Sequence, residues 1–219
     1  MPHEVVMDDI HLMRLRMASS PDFTSDNIWA AILYQDTVKR DMVPFLKQKH
    51  IEAFLKVDSG CEEDGTLKQF PLDEMIEFAR ERGCYGTKMR SIVKTPEILD
   101  AVLDQQFDLA EKIYARDLIP IVEPEIPIEH EHKQGLEIAL FRALEEQLDE
   151  FNGKCILKLT LPELSISPLI SPNSEGVVWT FDLSAVNTSE SFLYKIRSDI
   201  WVFLLFGFLT WIKNVAYFV

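Results

Sequence analysis

A chain of 219 residues, of which 47% are apolar, has room for one large domain with a sizeable buried core. Its formal charge of −14 excludes a broad basic surface for nucleic acid, although a local cationic cluster can still focus field on an anionic small molecule. The cysteines Cys61, Cys84 and Cys155 are far apart and include no CxxC pair, which suits a reduced cytosolic protein better than a disulfide scaffold.

No apolar run follows a basic head at the N-terminus, so no signal peptide is read. Residues 5–17 have helical spacing, with Val6, Ile10, Met13 and Met17 as the expected inner face. SPDFTSDN (20–27) reads as a loop and IWAAILYQ (28–35) as a buried strand. A polar helical segment follows to about Gln48, then the strand and loop AFLKVDSG (53–60). The segment 71–83 predicts a helix with Leu72, Met75, Ile76 and Ala79 inward and Gly83 placed to end it. CYGTKMRS (84–91) is the next strand. Thr95 and Pro96 then read as the N-cap and first position of a helix whose inner face is Leu99, Leu103, Phe107, Ala110 and Tyr114.

IPIVEPEIPI (119–128) and CILKLTL (155–161) are β-branched apolar runs, as expected of strands buried on both faces. Between them, a helix around 134–150 carries Leu136, Leu140, Leu144 and Leu148. Strands alternating with helices indicate a parallel α/β sheet. Charged residues fall late in successive strands: Lys56, then Lys88 and Arg90, then Glu123 and Glu125, then Lys158. Strand C-terminal ends converge on one mouth in a (β/α)8 TIM barrel, which would gather these side chains in a single cleft.

After Pro162 the pattern changes. Residues 163–176 are rich in serine and proline, VVWTFDLS (177–184) has the character of a strand, and 200–219 is strongly apolar. Lys213 and Asn214 interrupt that end, leaving about 13 unbroken residues, short of the roughly 20 a spanning helix needs. A buried helix or an unpacked tail is therefore expected ahead of a membrane span. The domains expected are 1–162, an incomplete barrel, and 163–219, a divergent tail.

Glu123 and Glu125, two residues apart, share one side of their strand, and Lys158 stands among Ile156, Leu157 and Leu159. A buried lysine facing carboxylates is either a structural ion pair or a reactive amine, and the residues alone favour the ion pair. For chemistry, the amine must be neutral, and its ordinary pKa is about 10.4. Burial and nearby positive charge lower that value. A neutral Lys158 could then form an iminium with a ketone, Glu123 or Glu125 could move the protons, and the other cations could hold phosphate oxygens.

VEPEI (122–126) followed by LKLTLP (157–162) resembles class I fructose-bisphosphate aldolase, in the form common in bacteria. The resemblance extends back through GTKMRS (86–91), FLKVD (54–58) and residues 13–37, covering about 10–162. It implies a (β/α)8 barrel of which about strands 2–6 are present, a Schiff-base lysine at Lys158 and proton transfer by Glu123. It also implies a substrate site lined by Lys56, Lys88, Arg90 and Glu125. The reaction implied is cleavage of fructose 1,6-bisphosphate to dihydroxyacetone phosphate and glyceraldehyde 3-phosphate, in glycolysis, with no metal and no other cofactor. A phosphorylated sugar is then the partner, nucleic acid is not, and a homo-oligomer stays open.

The departures from the pattern are specific. The family's first strand, with an aspartate in a segment like AALDQS, has no counterpart. KVDSG (56–60) stands where KVDKG is usual, and LSAV (183–186) where LSGG is. No eighth strand with its phosphate-binding arginine is readable. A catalytically impaired aldolase product, associated with a membrane through its apolar end, is the alternative. A transaldolase or deoxyribose-phosphate aldolase fits the EPE and LKLTLP segments less well. His130 and His132, in EHEH, read as a solvated loop rather than a metal site.

Overall fold

The computed structural model describes residues 3–160, 177–182, 203–204 and 214–217. Helix α1 (His3–Ala18) leads into strand β1 (Ile28–Leu33), followed by α2 (Gln35–Lys39), α3 (Met42–Gln48) and β2 (Glu52–Lys56). Next come α4 (Leu72–Glu81), β3 (Gly86–Ile92), a 3-10 turn (Pro96–Ile98), α5 (Leu99–Tyr114), β4 (Ile119–Glu125), α6 (Lys133–Glu150) and β5 (Cys155–Thr160). Three further strands are β6 (Val177–Asp182), β7 (Phe203–Leu204) and β8 (Asn214–Tyr217). All pairings are parallel, in the order β7-β6-β5-β4-β3-β2-β1-β8, and the two edge strands lie against one another, so the sheet curls.

The α/β architecture read from the sequence is therefore present: β1 to β5 with their helices form the incomplete barrel. The strand read at 177–184 is β6, which pairs with β5 from Cys155↔Val177 to Thr160↔Asp182. The apolar end departs from the expectation of a helix, since Phe203–Leu204 and Asn214–Tyr217 are strands. Its other residues lie outside the described ones. A parallel edge strand has unpaired N–H and C=O groups that need partners. β8 supplies them to β1, with Ala31 level with Ala216. No described helix is long and apolar enough to cross a membrane.

The strands separate two cores. Ala31, Leu33, Ala53, Leu55, Met89, Val122, Leu157 and Leu159 face the helices and join the buried stripes of α3, α5 and α6. The alternate residues Ala30, Ile32, Phe54, Ile121 and Ile156 make a second, smaller cluster on the inner face. Trp29, Phe54 and Tyr85 meet there with ring centroids 5.6–5.9 Å apart, Tyr85 edge-on to the other two. Gly86 makes that packing feasible: a Cβ would lie 1.9 Å from the Ile119 carbonyl oxygen and 2.6 Å from the Phe54 ring.

The helix stripes follow the sequence closely, with one exception. Leu99, Leu103, Phe107 and Ala110 of α5 are buried, as are Leu136, Leu140 and Leu144 of α6. Gly83, at φ +70°, follows the end of α4. Thr95 makes no side-chain cap, and Pro96 opens the 3-10 turn instead of α5 itself. In α1 the expected inner face is wrong: Met13 and Met17 are about half exposed, whereas Arg14 and Ala18 are buried. Arg14 holds that orientation by donating from Nη1 to Thr37 Oγ1 at 2.6 Å, with its guanidinium 5.9 Å from the Tyr34 ring. Burial pushes its pKa down from the usual arginine value.

Candidate active site

Above the apolar inner cluster, toward the strand C-terminal ends, the same alternation presents charge. On β3 the inner positions run Gly86, Lys88, Arg90. On β4 they run Ile121, Glu123, Glu125, and on β5 Ile156, Lys158. Register aligns them, since Arg90 pairs with Glu123, and Ile121 with Ile156 two residues below Glu123 and Lys158. One step along each strand thus converts an apolar layer into an ionic one.

Lys88, Glu123 and Lys158 are all at most 3% exposed. Lys158 Nζ donates to Glu123 Oε1, and Lys88 Nζ is ion-paired with Glu123 Oε2. One carboxylate therefore meets two amines from the strands on either side, each on a different oxygen. Removing charged groups from water is costly, and close pairing with charge-assisted hydrogen bonds is what offsets it.

The remaining expected site residues form a rim. Arg90 Nε lies 3.1 Å from Glu125 Oε2, with both side chains partly exposed. Lys56, the last residue of β2, pairs with Asp58 Oδ1 at 2.6 Å and donates to the Asp58 carbonyl at 2.9 Å. Its amine also lies 5.6 Å from the Tyr34 ring centroid. The expected single cluster is thus two tiers: Lys88, Glu123 and Lys158 within, and Arg90–Glu125 and Lys56–Asp58 outside.

Asp58 is a pivot that sequence reasoning did not single out. Besides Lys56, its buried carboxylate accepts from the Gly60 backbone N–H at 3.1 Å and the Arg90 N–H at 3.2 Å, tying the loop after β2 to β3. The signal was available in the KVD segment: an aspartate two residues beyond a strand-end lysine. Cys61 adds a contact in the same loop, donating from Sγ to the Arg90 carbonyl at 3.2 Å. Burial, then the nearby Asp58 carboxylate, pushes the Cys61 thiol pKa up.

Two observations concern residues away from this layer. His130 Nε2 lies 2.7 Å from the Lys94 carbonyl and His132 is exposed beside Glu131; among the described residues no group of three or more side chains is placed to hold a metal. Lys133 and Glu137 form a second buried ion pair on α6, with Glu137 at the edge of a cavity of about 10 Å³ that also touches Pro124 and Thr160. Such a cavity has room for about one water.

No family model matches the chain. Over 169 residues it is 43% identical to the class 1 fructose-bisphosphate aldolase of a Synechocystis species, an alignment covering 70% of this chain and 56% of that protein. The chain thus spans little more than half the length of this curated relative. It is also similar in structure to the fructose-bisphosphate aldolase of Plasmodium falciparum, solved in a ternary complex with TRAP and a small-molecule inhibitor. That likeness has a TM-score of 0.54 at 20% identity and covers 80% of this chain and 66% of the other. The second comparison speaks to the fold alone. Together they bear out the resemblance to class I fructose-bisphosphate aldolase and the barrel-type α/β fold.

Proposed function

We propose that this chain carries class I fructose-bisphosphate aldolase chemistry, with Lys158 as the Schiff-base lysine and Glu123 as the proton-transferring carboxylate. The observation that carries this reading is the single buried carboxylate of Glu123 in contact with both Lys158 and Lys88. A lysine amine attacks a ketone only when neutral, so it needs a group beside it that can take and return its proton. Glu123 Oε1, in contact with the Lys158 amine, is such a group.

In this reading the Lys158 amine adds to the C2 carbonyl of fructose 1,6-bisphosphate, and the carbinolamine loses water to give an iminium. Glu123 gives and takes the protons of that dehydration. A base removes the C4 hydroxyl proton, the C3–C4 bond breaks, and its electron pair enters the iminium to leave an enamine. Glyceraldehyde 3-phosphate departs, C3 is reprotonated, and hydrolysis frees dihydroxyacetone phosphate and the amine. Arg90, Lys56 and Glu125 line the outer tier, where phosphate and hydroxyl groups would lie. The reading brings with it a place in glycolysis and a cytoplasmic location.

Borohydride trapping with dihydroxyacetone phosphate, followed by peptide mass mapping, tests it. An adduct on Lys158 that is lost in Lys158→Ala is expected. A folded chain that yields no adduct would instead support the second reading, a protein that keeps the ionic layer without turning over sugar.

A further inference from the structure

We infer that Gln106 is a positioning residue for Glu123, acting from the helix side of the sheet. Gln106 is fully buried, and it is a polar residue in an α5 stripe otherwise made of Leu99, Val102, Leu103, Phe107 and Ala110. A buried amide without adequate partners is costly, so an apolar residue would be the simpler choice there. Its Nε2 donates to Ser91 Oγ at 2.9 Å and to the Glu123 carbonyl oxygen at 3.3 Å. One amide therefore spans β3 and β4 at the level of the ionic layer, where Arg90 pairs with Glu123 and Ser91 with Pro124.

Pro124, the next residue, has no N–H, so β4 lacks a backbone donor on its β5 side directly after Glu123. On the β3 side, where the Glu125 carbonyl also points, Gln106 adds a donor from outside the ladder to the carbonyl of Glu123 itself. Its Oε1 has no partner among the described residues, so part of the burial cost goes unrelieved. That cost is accepted at the residue whose backbone aims the carboxylate at Lys158 and Lys88.

The inference rests on the reading that Glu123 governs the Lys158 amine. Its test is the rate of reductive alkylation of Lys158 by propanal and borohydride, measured at pH 7.5 and pH 10 by peptide mass mapping, in the full chain and in Gln106→Met. The ratio of the two rates reports protonation of the amine and cancels changes in access. A merely structural glutamine would alter both rates together and leave the ratio alone. We expect the Lys158 ratio to change by a factor of about two to three, which is what a half-unit shift gives an amine that titrates between these two pH values, while the ratios of exposed lysines stay fixed. An unchanged Lys158 ratio in a folded Gln106→Met chain, with the midpoint of the rate–pH profile also unmoved, overturns the inference. A wild-type ratio equal to that of exposed lysines instead counts against the aldolase reading. Should Gln106→Met not fold, Ser91→Ala decides. It removes one anchor of the amide and is expected to move the ratio in the same direction by a smaller factor; no change in Ser91→Ala overturns the inference.

Discussion

The molecule buries lysine and glutamate together in two places, and the two differ in how the chain builds them. Lys133 and Glu137 lie four residues apart on one helix, where neighbouring turns bring such pairs together. Lys88, Glu123 and Lys158 come from three strands and meet only when β3, β4 and β5 align. In the helix pair Lys133 meets Glu137 on its own helix, whereas the strand cluster brings two amines from different strands to one carboxylate. Burial and residue type are the same in both places. What separates them is the distance along the chain: the pair forms wherever its helix forms, and the cluster forms only when three strands are in register.

The largest expected effect strikes at the centre of the strand cluster. Lys158→Ala should remove the borohydride-trapped adduct completely, since it takes away the amine that contacts Glu123 Oε1. Adduct formation at Lys88 in that variant would move the nucleophile to the other amine. Glu123→Gln comes next: a general acid–base group contributes about 10²–10⁴-fold, so turnover should fall by that order. Steady-state rates with folded variant protein check this, and a fall of less than about tenfold would take proton transfer away from Glu123.

Much of this is legible in the sequence. The apolar strands and the helices over 71–83, from Pro96 through Tyr114, and around 134–150 follow from periodicity, although α5 itself begins at Leu99. Glu123, Lys158, Lys88 and Arg90 stand out as charges in strands that ought to be apolar. What escaped was polar burial on elements whose overall pattern is unremarkable. Glu137 looks like one more acidic residue on a solvated helix, and Lys133 falls just before the helix as read. Gln106 stands beside Gln105 in a helix whose leucines dominate the pattern. Arg14 was missed because methionine counts as apolar wherever it falls, so Met13 and Met17 claimed the inner face. The strand pairing of 214–217 with β1 is a contact across most of the chain, and no local pattern encodes it.

The helix pair should behave oppositely to the strand cluster under mutation. Breaking a buried ion pair by removing one partner costs about 3–5 kcal/mol, whereas replacing both with apolar groups of similar size is often neutral. Lys133→Met alone is expected to lower unfolding stability by that order, and Lys133→Met with Glu137→Leu to recover most of it. Denaturant melts of the wild type and the two variants check this. Trapping at Lys158 should survive in the double variant. Loss of trapping despite recovered stability would mean that the helix pair also serves the site.

The smallest effect contrasts the cysteines that flank these regions. Burial pushes the thiol of Cys155, at the start of β5, up to about 12, and that of Cys84 up to about 11, from an ordinary 9.0. The folded chain therefore holds these protons to higher pH than the unfolded chain does. Their linkage leaves stability untouched below pH 9 and lowers it progressively between about pH 9 and 12. Iodoacetamide at pH 8 should reach the partly exposed Cys61 first, because the thiolate is the reactive form and the other two are buried and protonated. Equally fast labelling of Cys155 would mean that β5 opens readily. In that case the alignment that brings Lys158 to Glu123 would be transient, and the strand cluster would lose the rigidity that distinguishes it from the helix pair.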